Sequence, residues 1–244
     1  MDLHLDTNKN ELLRRFDPAD LNRLRPHLRS TFLELRTPLE KTGQEIEFVY
    51  FPSSGLASVV AKKRLGAEAE VGIIGFEGMT GSALVMGDDR ATHDCFIQMT
   101  SEALMIEAPL FKAVLDESKT LRPFLMRYVH AFHIQATYTA LINARSKIEE
   151  RLARWLLMCD DRVIGNRLVI THEYLAVMLG VRRPGVTVAL QVIEGRGLIQ
   201  SRRGEVIIRD REGLIHLADG GYGESEAEYR RLIGEIKIQP PIVR

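Results

Sequence analysis

Residues 168–209 constrain this chain more than any other stretch, because every local signal there agrees. Leu168-Val169-Ile170 is a short apolar run. Thr171 behind it is a good helix N-cap, with Glu173 in the first turn near the positive end of the helix dipole. A helix through Leu175, Ala176 and Leu179 stops at Gly180. Arg182-Arg183-Pro184 then opens a second helix carrying Val186, Leu190 and Ile193. Two short helices joined by a tight glycine turn predict a helix-turn-helix, whose second helix enters a major groove N-terminus first. Gly197-Leu198-Ile199-Gln200-Ser201 and Glu205-Val206-Ile207-Ile208 flank Arg202-Arg203-Gly204, which predicts a β-hairpin wing with two arginines at its tip, placed to meet phosphate. Any two helices with a glycine between them imitate part of this pattern. Cap, glycine turn, arginine pair and basic hairpin together are much rarer by chance, and they point to DNA binding over a winged domain used only for protein contacts.

Total charge seems to oppose that reading. The 244 residues hold 33 Lys+Arg against 33 Asp+Glu, a net of zero. Position resolves the conflict. Residues 37–116 carry six basic side chains against twelve acidic ones, net −6. Residues 162–211 carry nine arginines against Glu173, Glu194, Glu205 and Asp210, net +5. Glu212, Asp219, Glu224, Glu226 and Glu228 follow before the next base, Arg230. The basic block is entirely arginine, whose planar fork donates two parallel hydrogen bonds to guanine or phosphate. Solvated loop arginines are the structural alternative.

Upstream, the texture changes twice. Short helices open the chain at Asn10-Glu11-Leu12-Leu13 and after the cap Asp17-Pro18-Ala19-Asp20, leading into Leu21, Leu24 and Leu28. From Thr31 to Glu107 short β-rich runs alternate with breaks at Pro52–Gly55, Gly75–Gly81 and Gly87–Asp89. The runs are Phe48–Phe51, Gly55–Ala61, Val71–Ile74, His93–Met99 and Ala103–Ile106, a spacing that predicts a small barrel or jelly roll. Thr120 can cap a long helix in which Leu121, Leu125, Tyr128, Phe132, Gln135, Thr139 and Ile142 step by 4-3-4-3-4-3. Between Arg127 and Arg145 lie seventeen residues without Asp, Glu, Lys or Arg. The run is short for a membrane span and holds His130, His133, Gln135 and Asn143, so no membrane partner is expected. The heptad stepping predicts a parallel dimer helix, with a core helix of a monomer as the alternative. Arg151-Leu152-Ala153-Arg154-Trp155-Leu156-Leu157 is amphipathic again, and Gly165-Asn166 is a turn. Leu232, Ile233 and Ile236 suggest a last short helix ending at Pro240-Pro241.

The organisation expected is therefore α+β: a sensory β-barrel with flanking helices over 1–118, a dimerisation helix over 119–146, and a winged helix-turn-helix over 147–244. Cys95 and Cys159 form no metal or redox motif, which suits a reducing cytoplasm, and Met1 to Asn10 holds no apolar stretch that would read as a secretory signal. No P-loop, His-Glu-x-x-His, Gly-x-Ser-x-Gly or Cys-x-x-Cys occurs, so an enzyme is not expected, although a dispersed site of Glu77, His93 and Asp94 would leave no motif.

The segment Ile170-Thr171-His172-Glu173-Tyr174-Leu175-Ala176, through Leu179-Gly180-Val181-Arg182-Arg183-Pro184-Gly185-Val186 to Gly197-Leu198-Ile199, resembles the C-terminal domain of CRP-FNR transcription regulators. Arg151–Leu157 resembles that family's hinge-proximal helix, and the β-rich region with its long helix resembles a cyclic-nucleotide-binding-type sensory domain. The resemblance implies a jelly-roll sensor and a homodimer that sets two winged helices on a near-palindromic DNA operator. It also implies RNA polymerase as a further partner. DNA contacts would fall at Thr171, His172, Arg182, Arg183, Pro184, Thr187, Gln191, Arg202 and Arg203. Arg183 matches the family's principal base-reading arginine. Pro184 stands where a glutamate is frequent and Val188 where a later arginine is, so a different operator is expected.

The family's nucleotide-binding members carry a Gly-Glu pair and, about ten residues on, an arginine for the cyclic phosphate. The matching candidates are Gly75, Glu77, Gly78, Met79 and Thr80, then Arg90, Ala91 and Thr92, with Thr137 on the long helix where the base is read. Cyclic AMP or cyclic GMP is thus the effector the resemblance offers. Glu77 lies thirteen positions before Arg90, however, and ten back from Arg90 is Thr80. A structural loop arginine beside Asp88 and Asp89 remains the alternative. No iron–sulfur cluster is expected, since no cysteine precedes Cys95; His93, His130 and His133 are haem candidates in name only. A ligand-binding module with little or no role on DNA is the remaining functional alternative.

Overall fold

The computed structural model describes residues 9–64, 66–163 and 165–235. The expectations for the segment before Lys9, for Ile236 and for Pro240-Pro241 lie outside the described residues. Two compact units emerge. The first comprises residues 9–59, 73–133 and 229–235; the second comprises the described parts of 60–72 and 134–228.

The first unit opens with a 3₁₀ turn over Leu13–Arg15, later than the helix expected from Asn10. Helix α1 (Pro18–Leu24) is capped by Asp17, whose carboxylate accepts from Ala19 N at 2.8 Å, with proline in its first turn. Strands β1 (Arg29–Leu33), β2 (Pro38–Glu40), β3 (Phe48–Pro52), β4 (Leu56–Lys62), β5 (Glu68–Ile74), β6 (Asp94–Met99) and β7 (Ser101–Glu107) follow, with helix α2 (Ser82–Met86) between β5 and β6. They form two sheets, ordered β1-β7-β3 and β2-β6-β4-β5. β7 is antiparallel to both neighbours, Arg29 facing Met105 on one side and Phe48 facing Glu107 on the other. Val49, Phe51, Leu104 and Ile106 alternate inward from β3 and β7. Helix α3 (Ala108–Glu117) adds Phe111, Val114 and Leu115 to the same core.

Helix α4 (Leu121–Arg145) differs from expectation in two ways. Its cap is Ser118, whose Oγ accepts from Thr120 N at 3.1 Å and Leu121 N at 2.9 Å. The Thr120 hydroxyl is instead drawn to the buried carboxylate of Asp20. Part of the expected dimer seam also faces inward, while Phe132, Thr139 and Ile142 are only half-buried. Leu121, Leu125 and Tyr128 belong to the first unit's own core, and Gln135 is buried. A second heptad, offset by five positions, is outermost: Met126, His130, His133, Thr137, Ala140 and Ala144 are all exposed, as is Leu141. Periodicity identifies residues that share a face; it does not say what covers that face.

The second unit holds helix α5 (Ile148–Asp160), strand β8 (Arg167–Val169), helices α6 (His172–Met178) and α7 (Arg183–Gly195), strands β9 (Ile199–Arg202) and β10 (Glu205–Ile208), and helix α8 (Arg211–Leu217). Glu150 Oε2 accepts from Lys147 N at 3.0 Å, which fixes the start of α5. Buried Trp155 of α5 donates its indole N–H to Glu70 Oε1 at 2.7 Å, tying the far half of the β4–β5 hairpin into this unit. Helix α9 (Glu224–Leu232) closes the described chain. Its Tyr229 and the following Ile233 pack in the first unit's core, where Tyr229 Oη donates to Glu77 O at 2.6 Å. Both cysteines are free and buried, and burial pushes both thiols up.

Candidate nucleic-acid interface

Thr171 begins the motif as the sequence predicts: its Oγ1 accepts from Tyr174 N at 3.3 Å, and Glu173 lies in the first turn of α6. The helix ends in two crossed hydrogen bonds, Gly180 N to Val177 O at 3.0 Å and Val181 N to Ala176 O at 2.9 Å. That closure needs a left-handed residue, and Gly180 has φ +60°, where a side chain would be strained. The chain bends by 104° between α6 and α7, within the range of helix-turn-helix motifs. Arg182 is the N-cap residue of α7, with proline in the first turn. Val186, Ala189, Leu190 and Ile193 turn inward and are buried, which leaves Arg182, Arg183, Pro184, Val188 and Gln191 exposed on the other side. Among the described residues no single helix is long and apolar enough to cross a membrane.

Partners within the motif sort these side chains. Arg183 Nη1 lies 3.1 Å from Glu173 Oε1, with both side chains more than half exposed. His172 Nδ1 and Thr187 Oγ1 are 3.1 Å apart, and Thr187 Oγ1 donates to Arg183 O at 3.3 Å. The Thr187 hydroxyl thus joins the start of α6 to the first turn of α7, and this half-buried side chain is less available than its position on the helix suggests. The wing is antiparallel, Arg202 opposite Glu205 and Ile208 opposite Ile199, with β8 on its outer side. Gly204 at φ +78° makes the two-residue turn, and Arg202 and Arg203 are exposed beside it. Ser201 N donates to Glu194 Oε1 at 2.8 Å, which holds the wing against α7.

The nine arginines of the basic block divide. Arg162 is buried and donates to Met158 O at 2.7 Å. Arg211 clamps Asp160 and Asp161, meeting Asp161 Oδ1 at 2.5 Å, while Tyr222 Oη donates to Asp161 Oδ2 at 2.7 Å. These two are structural. Arg167, Arg182, Arg183, Arg196, Arg202, Arg203 and Arg209 remain exposed, with Arg167 paired to Glu205. Val188, 54% exposed in the centre of the outward face, has no place in a basic-patch reading. The sequence marks it only as the place where the resembling family carries a later arginine, one turn after Pro184.

The sensory candidates are scattered. Glu77 is buried, and its carboxylate accepts from Gly75 N at 3.1 Å. Gly78 is pressed so close to Tyr128 that a Cβ would sit 2.5 Å from the phenolic oxygen. Met79 N–H donates to Tyr128 Oη, and the Met79 carbonyl accepts from the phenol in return, both at 3.0 Å. Thr80 Oγ1 accepts from Tyr50 N at 3.0 Å. Arg90 is exposed and donates to Gly43 O at 3.1 Å; Ala91 is buried, Thr92 exposed. Thr137 is exposed on α4 and belongs to the second unit.

A cavity of about 90 Å³ in the first unit is lined by Met79, Thr80 and Thr92 from this set, together with Glu40, Asp88, His93, Cys95, Val59, Ile74, Tyr128 and Phe132. Glu77 and Arg90 are not in its wall. Burial holds the Glu40 carboxyl above the usual carboxylate range, against the pull of Gly81 N–H, which donates to it at 2.6 Å. No group of three or more His, Cys, Asp or Glu is placed to hold a metal ion among the described residues. The Tyr128 hydroxyl is the link most open to test. Removing it strands a buried N–H and a buried carbonyl of Met79, so Tyr128→Phe is expected to cost about 2–4 kcal/mol and several degrees of Tm. Thermal denaturation within a degree of the parent protein would show that the loop is held some other way.

Comparison with known proteins places the second unit's motif. Residues 150–217 match the family model of the Crp-like helix-turn-helix domain. The matched segment runs from the third residue of α5 to the end of α8, and so takes in most of α5, the two motif helices and the wing. A solved structure from Eubacterium rectale, described as a transcriptional regulator of the crp/fnr family, superposes with a TM-score of 0.68 at 18% identity, covering 87% of this chain and 100% of its own. FixK2 from Bradyrhizobium japonicum gives 0.67 at 14% identity, covering 78% and 96%. A transcriptional regulator of the CRP family from Thermus thermophilus, TTHB099, gives 0.63 at 15%, covering 78% and 97%. At such identities these structures share the fold with this chain, from the β unit through the Crp-like domain. No curated protein matches the chain.

Proposed function

We propose that this chain is a cytoplasmic, homodimeric transcription regulator that binds DNA sequence-specifically through its Crp-like domain and receives a small-molecule signal in its β unit. The observation that carries the reading is the outward face of α7, where Arg182, Arg183 and Gln191 stand clear of the domain's own core on a helix held at 104° to its predecessor. Arg183 and Gln191 reach base edges in this reading, Thr171 and His172 approach the backbone at the start of α6, and Arg202 and Arg203 of the wing meet phosphates. The outermost heptad of α4 supports a second copy as partner. RNA polymerase is the further partner of the same reading.

For the signal, the cavity beside Glu40 is the receiving site. It is smaller than the ~300–1,000 Å³ of typical ligand clefts and its charged wall is acidic, so a small ligand without a phosphate fits it better than a cyclic nucleotide. A ligand acts here only by binding one dimer geometry better than another.

Selection of duplexes from a randomised pool tests the DNA reading. Enrichment of a near-palindrome with half-sites about 34 Å apart, one helical turn, is the expected result. Retention of all duplexes equally, lost together as salt rises, would leave only non-specific binding.

A further inference from the structure

We infer that Val188 is a specificity-determining residue that reads the C5-methyl group of a thymine, an inference that rests on the DNA-binding reading above. Most of the α7 surface is explained by hydrogen bonding or by packing. Val186, Ala189, Leu190 and Ile193 are core, and the Thr187 hydroxyl is engaged with His172 and Arg183. Arg182, Arg183 and Gln191 present donors. Val188 does neither: a branched apolar side chain, 54% exposed, lies between Arg183 and Gln191 and one turn after exposed Pro184.

Major-groove edges offer hydrogen-bonding groups at every base but only one apolar group, the thymine methyl. An exposed valine among donors on that face therefore has a single complementary feature on the duplex. Cytosine and guanine edges opposite it would lose hydration and gain no partner, which disfavours them as well as favouring thymine. Position along the helix places the contact. Val188 stands about 7.5 Å further along the axis than Arg183, at 1.5 Å per residue. That is roughly two base steps at 3.4 Å each, so the thymine lies about two steps from the base that Arg183 reads.

The test uses the full-length protein and the duplex recovered by the randomised selection. Each thymine of one half-site is replaced in turn by deoxyuridine, which deletes the methyl and keeps the pairing. At one thymine the parent protein should lose roughly fourfold in affinity, the worth of one buried methyl-sized group. Val188→Ala should bind the thymine and deoxyuridine duplexes equally there, while keeping the parent's melting temperature, because alanine suits an exposed helix position. If deoxyuridine is neutral at every thymine, or its penalty survives unchanged in Val188→Ala, the assignment to Val188 is overturned and DNA binding stands. If the pool yields no preferred sequence, the reading beneath it falls instead, and this inference with it.

Discussion

Replacing Arg183 with alanine is expected to lower the ratio of operator to random-duplex affinity by roughly 5- to 150-fold per half-site, equivalent to the ~1–3 kcal/mol of a bidentate base contact. Competitive binding of the selected operator against random duplex at one fixed salt concentration reads this directly. Arg183 already has a partner, Glu173 at 3.1 Å, and that contact must open or share. Because both side chains are more than half exposed, the pair is worth at most about 1 kcal/mol, less than the base contact proposed to replace it. The wing supplies the contrast. Arg203→Ala should weaken both duplexes about equally and make the salt dependence shallower by close to one phosphate contact. If Arg183→Ala behaves like Arg203→Ala, with its ratio unchanged, Arg183 meets backbone and another side chain of α7 does the reading.

The motif was legible because its signals are local. A cap, a glycine at positive φ and a two-residue hairpin turn are each set within a few residues, and Thr171, Gly180 and Gly204 do in the structure what their chemistry predicts. What escaped depends on partners far along the chain. Arg211 counts as free positive charge in the sequence, yet Asp160 and Asp161, some fifty residues earlier, neutralise it. Glu77 resembles a ligand acid, but its carboxylate folds back on Gly75 N, and Tyr128, fifty positions on, holds the adjacent turn. Strand β1 carries no apolar alternation, because three of its five residues are exposed, Phe32 included, and Leu33 alone is buried; β2 has three residues and starts at proline. Helix α8 carried a readable signal in Asp210, whose carboxylate caps Gly213 N at 2.9 Å, but Gly213 inside it weakens the pattern.

Helix α4 offers a second copy a different face from the one its first heptad suggests. Leu121, Leu125 and Tyr128 are filled by the chain's own core and cannot meet a second copy without unfolding it. Met126, His130, His133, Thr137, Ala140 and Ala144 repeat at the same heptad spacing and are exposed, with Leu141 at 51% beside them. Two alanines at the helix's far end let a partner helix approach closely, and carboxylates placed there would face their own copies across the two-fold axis. The double variant Ala140→Glu/Leu141→Glu should therefore sediment as a monomer at micromolar concentration where the parent is expected to sediment as a dimer. Glutamate is a good helix former at exposed positions, so its melting curve should stay cooperative. Operator affinity should fall by about 10²–10⁴-fold, the advantage that linking two half-site contacts confers. Arg183 would still discriminate within one half-site, so the preference per half-site should survive while the requirement for a second one disappears. A variant that stays dimeric would mean that some other surface joins the two copies, and the outermost heptad of α4 would then need a different explanation.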